Sequence, residues 1–120
     1  MAIGQDAAAQ LWNASASGQL TMSPDAAREV AQSYLLFAAK CDEWVVEAER
    51  LANIHGFGAL RSAEMLQQGF AKKATEAKGV LEQMATSARS MAKGYLQAAG
   101  ILAEADDLAA AALKTISGQV

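Results

Sequence analysis

Two runs of apolar residues, each stepping alternately by three and four positions, flank one glycine-rich break at Ile54-His55-Gly56-Phe57-Gly58. The first run is Ala27, Val30, Tyr34, Phe37, Cys41, Trp44, Ala48 and Leu51. The second is Phe70, Ala74, Ala77, Leu81, Met84, Ala88, Met91, Tyr95, Ala98, Leu102, Ala105, Ala109, Ala112 and Ile116. Such alternation is the seam along which helices pack in coiled-coil fashion. The expected fold is therefore all-α: a long antiparallel helical hairpin with a coiled-coil-like seam and a short N-terminal segment.

The chain of 120 residues has room for one domain. Its boundaries follow from caps and breakers. Ser23 suits an N-cap, Pro24 the first helical position, and Asp25 the positive end of the helix dipole, so a first long helix is expected over 24–53. A turn over 54–59 follows, in which Gly56 or Gly58 takes a left-handed cap conformation and Phe57 folds back over the open end of the hairpin. A second helical region is expected over 60–117. As one rod it would measure about 85 Å, almost twice its partner. Either its end projects beyond the hairpin or the chain breaks near Gly94–Gly100 and folds back. Residues 1–22 are expected to be weakly structured. Asp6 to Trp12 suits two helical turns, and Asn13 to Gly18 reads as a small-residue breaker.

Hydrophobic residues make up 52% of the chain but aromatics only 6%, because alanine supplies much of the total. A buried Leu or Phe contributes about 1.5–3 kcal/mol and an alanine far less, so an alanine-rich two-helix hairpin gains from a partner. The apolar stripe is also wider than one seam needs. Leu35, Leu36, Ala39 and Val46 flank it in the first helix. Val80, Ile101 and Leu108 widen it on one side of the second, and Ala85, Ala92, Ala99 and Leu113 on the other. Width of this kind belongs to a bundle of three or more helices. The expectation is a four-helix bundle completed by a second chain, with Leu35, Leu36, Val46, Val80, Ile101 and Leu108 as interface candidates. Trp12 joins them, its role left open between docking on the hairpin and contact with a partner. Trp44 and Cys41 fall on the seam and are expected in the core, as are Met65, Met84 and Met91.

No constellation of catalytic type is present. His55 is the single histidine, and a turn residue that helps to cap the preceding helix is its better reading. Glu104, Asp106 and Asp107 fan around a helix and do not converge. Gly56-Phe57-Gly58 lacks the third glycine and the preceding strand of a dinucleotide loop. The expectation is a non-enzymatic protein with no metal, cofactor or small-molecule substrate. The net charge is −3, and Lys72, Lys73 and Lys78 surround Glu76 in what reads as a solvated helix face, so nucleic acid is not an expected partner. No apolar run reaches the roughly 18–20 residues of a membrane span, and no basic stretch precedes an apolar one at the N-terminus as in a cleavable signal peptide. The polar faces are acidic or mixed, so contact with a membrane surface is not expected either.

Three short motifs point to a family. Ser23-Pro24-Asp25-Ala26-Ala27 leads into the first helix, Gly56-Phe57-Gly58 forms the turn, and Phe70-Ala71-Lys72-Lys73-Ala74 follows. Over residues 18–116 the chain resembles the small helical-hairpin proteins of type VII (ESX) secretion systems, the WXG family and its actinobacterial relatives with a Gly-Phe-Gly turn. The resemblance implies a secretion substrate, or the helical partner of a secreted effector, that pairs as a homodimer or heterodimer. It also implies location outside the cell or in the envelope without a cleavable signal. Two departures are evident. Gly-Phe-Gly stands where the family has Trp-x-Gly, and the export signal, a Tyr followed four residues later by Asp or Glu, has no intact counterpart. The nearest position is Leu102 with Asp106. A cytoplasmic self-associating scaffold or adaptor is the alternative reading.

Overall fold

A computed structural model describes residues 3–118 as four α-helices: α1 (Gln5–Ala16), α2 (Pro24–Ala52), α3 (Arg61–Ala98) and α4 (Ala105–Ser117). A 3₁₀ turn, Leu102–Glu104, precedes α4. No strand occurs among the described residues. The long helices α2 and α3 pack closely as an antiparallel hairpin. At the start of α2 the Ser23 side chain accepts a hydrogen bond from the Ala26 N–H at 3.3 Å, with Pro24 in the first turn. At its end Asn53, not His55, caps the helix, and the Asn53 Nδ2 donates to the Glu49 carbonyl at 2.9 Å.

The second helical region is broken, and the break is at Gly100. Gly100 has φ 71. Its N–H donates to the Gln97 carbonyl at 3.0 Å, and the Ile101 N–H donates to the Leu96 carbonyl at 2.9 Å. These two bonds are the Schellman termination, and its usual apolar contact is present because Ile101 packs against the cluster that holds Leu96. The chain then folds back as α4 alongside α2. Arg28 Nε and Nη2 donate to the two Glu104 carboxylate oxygens at 2.8 Å each, which ties the start of α4 to the start of α2.

Gly94 has a different part from the bend suggested by its sequence neighbourhood. It lies inside α3, and a Cβ there would sit 2.7 Å from Leu11 Cδ2. The missing side chain is what lets α1 settle on α3. The N-terminal segment is accordingly more ordered than a two-turn helix followed by a breaker. Ser15 stays within the helix, its hydroxyl bonded to the Trp12 carbonyl at 2.9 Å, and Gly18, with φ 80, ends the element. Docking supplies what propensity does not. The Ser87 hydroxyl also donates to the Ile3 carbonyl, fixing the start of α1.

Thus α1 packs on α3 and α4 on α2, and the helices lie side by side in the order α1, α3, α2, α4. The extents are 62 × 36 × 16 Å. Four helices in a row at 8–10 Å spacing account for that width, whereas a square bundle would be nearly as deep as it is wide. The outer helices flank only one end. Contacts of α1 with α3 begin near Gln83, and α4 meets α2 between Arg28 and Leu36. From about Lys40 to Val80 the hairpin stands as a bare two-helix arm.

Candidate interaction surface

The residues buried between α2 and α3 trace a seam, but not the one with the largest side chains. On α2 it runs through buried Ala27, Ala31, Ala38, Cys41 and Ala48 with half-buried Tyr34, Val45 and Ala52; on α3 and its C-cap it runs through buried Ala74, Ala85, Ala88 and Ala92 with half-buried Lys78, Leu81, Tyr95 and Ala99. Both series step by three and four, and both share every second member with the bulkier series read from the sequence. Between these shared positions the structure buries Ala31, Ala38 and Ala85 where the sequence reading placed Val30, Phe37 and Met84. Small residues let the helix axes approach, and tight packing displaces the bulky ones to the edge. Trp44 is the clearest correction: expected in the core, it is 44% exposed, and Lys40 lies over its ring at 5.9 Å.

The displaced residues of both helices emerge on one face. Phe37, Trp44 and Leu51 recur every seven residues on α2 and are 41%, 44% and 42% exposed. Phe70, Ala77 and Met84 recur in the same way on α3. Two grooves show that the rows run side by side. Phe37 and Met84 line one of about 270 Å³, next to Ile3 and Tyr34. Leu51 and Phe70 line the other, of about 400 Å³ at the tip, with Ile54, Phe57 and the Lys73 stem. Trp44 and Ala77 lie between the two, one heptad from each.

The turn closes the tip groove. Gly56 and Gly58 have φ 95 and 97, a region that residues with a Cβ rarely enter, so both glycines are needed where one was expected. Between them Phe57 folds back, half-buried, with its ring 5.8 Å from that of Phe70. His55 is exposed.

The interface candidates named from sequence divide in two. Leu35 is buried at 5% exposure, and Leu36, Ile101 and Leu108 pack against the same cluster, which includes Ala105 and Ala112 of α4. Leu35, Leu36 and Ile101 thus pack with the chain's own last helix, to which Leu108 belongs, so these four are not the open surface. Trp12, Val46 and Val80 remain exposed. Trp12 sits over a shallow groove between α1 and α3, and Val46, about 200° around α2 from Trp44, faces away from the stripe. Met65 is 64% exposed and lies outside the core where it was expected. Leu102 opens the 3₁₀ turn and Asp106 lies in the first turn of α4, both exposed.

Burial pushes the Cys41 thiol up, which keeps it protonated and unreactive. Burial, and secondarily Tyr34, pushes the Tyr95 phenol up; the two rings stack at 5.8 Å. Among the described residues no group of three or more acidic, histidine or cysteine side chains is placed to hold a metal, and no helix is long and apolar enough to cross a membrane.

No family model, curated protein or solved structure matches this chain.

Proposed function

We propose that this chain is a non-enzymatic helix-pairing protein of a type VII secretion system, either a substrate or the helical partner of a secreted effector. The observation that carries the reading is the bare arm. Its two helices turn their small residues to each other and present Trp44, Leu51 and Phe70 outward. A helix that uses one edge of its stripe within the chain and leaves the other open is built for a bundle of more helices than the chain provides. The Gly-Phe-Gly tip, at the place where the resembled family carries its own aromatic-and-glycine turn, supports the secretion assignment.

The test is export. The tagged gene is expressed from its native operon, and culture supernatants are compared between wild type and a strain lacking the secretion ATPase. The protein, or a partner that co-purifies with it, is expected in the supernatant only when the ATPase is present. Export unchanged in the mutant, with no secreted partner, rejects the assignment.

A further inference from the structure

The three-and-four rhythm of the second helical region crosses the break at Gly100 without losing its register: Tyr95, Ala98, Leu102, Ala105, Ala109, Ala112 and Ile116. Two helices joined by a turn have no need of a common phase, whereas one continuous rod does. The hold on the folded-back helix is also light. Of the α4 residues in the cluster that contains Leu35, only Leu108 is larger than alanine. A gap of about 150 Å³ lies between α2 and α4, lined by Gln32, Leu36, Leu108, Ala111, Ala112 and Thr115. Among the described residues the ion pair at this junction is Arg28–Glu104, which sits at the hinge end and is solvent-accessible on both sides. The Thr115 and Ser117 hydroxyls, further along, bond only within α4.

We propose that α4 is a displaceable strap. It swings on Gly100 between the folded-back position and a rod in which α3 runs on through α4, and so covers or bares Leu35 and Leu36 of α2. In the rod Gly100 gives up its φ of 71 for a helical one, and Arg28 parts from Glu104. The Ala98 carbonyl, which accepts from the Met22 N–H at 3.2 Å in the folded-back state, then accepts from the Leu102 N–H as in any helix interior. The place that α4 vacates suits a helix with larger apolar side chains, because these fill the gap that alanines leave open. The strap rests on the helix-pairing reading for its purpose, and it specifies how one helix-binding surface is opened and closed.

The test is a distance measured by pulsed electron resonance between nitroxides at Gln32→Cys and Thr115→Cys, in the full chain with Cys41→Ala. Folded back, both labels border one gap and lie within about 20 Å, given helix axes 8–10 Å apart. In the rod, Thr115 lies beyond the base of the hairpin and the separation exceeds about 30 Å at 1.5 Å per residue. Gly100→Ala penalises the left-handed turn and favours the rod, so it is expected to raise the long-distance population at least tenfold with helical circular dichroism retained. Ala111→Leu fills the gap and is expected to slow amide exchange in α4 by at least threefold. A single short distance in Gly100→Ala, or a loss of helicity in place of the long distance, overturns the proposal. So do α4 amides that exchange only together with those of α2 and α3. The two proposals fail separately. A strap that swings in a protein whose export ignores the ATPase removes only the secretion assignment, and ATPase-dependent export of a chain with one fixed distance removes only the strap.

Discussion

One end of this molecule is a packed domain and the other is a lever of the same two helices without support. At the packed end, α1 and α4 flank the hairpin, and Leu35 and Leu96 are buried beneath them at 5% and 0% exposure. On the arm, Trp44, Val46, Leu51, Leu60, Met65, Leu66, Phe70 and Val80 are all more than 40% exposed. The difference is not one of helix quality, because both ends belong to the same continuous helices. Additional helices cover the stripe at one end, and at the other its large side chains stay exposed.

The largest test of that contrast is Leu96→Ala against Leu66→Ala. Leu96 is fully buried, so its truncation is expected to cost about 2–5 kcal/mol in urea unfolding. Leu66, 56% exposed, is expected to change stability by no more than about 0.5 kcal/mol. Similar losses at both sites would show that the arm has a core of its own.

Next in size is Gly94→Ala. The new Cβ would meet Leu11 at 2.7 Å, and overpacking of this kind costs about 1–3 kcal/mol. Faster amide exchange confined to α1 is the expected signature, with partial recovery when Leu11→Ala is added. Exchange unchanged in α1 would mean that the helix docks by other contacts.

Phe57→Ala is expected to cost about 1 kcal/mol in thermal unfolding, since the ring is half-buried and has Phe70 as its aromatic neighbour. A loss several times larger would place the ring in a true core.

The smallest effect concerns the Arg28–Glu104 pair, which is solvent-accessible on both sides. The Arg28 hydrogen bonds hold the Glu104 carboxyl below the usual carboxylate range, so its contribution is complete above the unfolded value and disappears as pH falls through the lower folded one. Exchange in α4 is therefore expected to quicken on acidification, and Glu104→Gln to remove that pH dependence without unfolding α2 or α3.

Much of this architecture is legible in the chain because local chemistry determines it. Ser23 and Pro24 start a helix, Gly56 and Gly58 permit a turn closed to other residues, and Gly100 allows the Schellman stop. The choice of seam was not legible. Two series of three-and-four steps share Ala27, Tyr34, Cys41 and Ala48, and helical periodicity favours neither. The column of alanines was the available signal, but hydrophobicity alone ranks it below the aromatics beside it. The same ambiguity placed Trp44 in the core and Leu35 at a partner surface, whereas the structure exposes Trp44 and buries Leu35.

By itself, then, the sequence determined that this protein is helical, where its long helices begin and turn, and that its apolar stripe is wider than one pair of helices can cover. Only the tertiary structure decided how that stripe is shared: alanines to the close approach of α2 and α3, Leu35 and Leu36 to α4, and the aromatic edge to solvent. Periodicity is a property of one helix, whereas burial depends on the distance between two, and that distance is set by whichever side chains allow the axes to come closest.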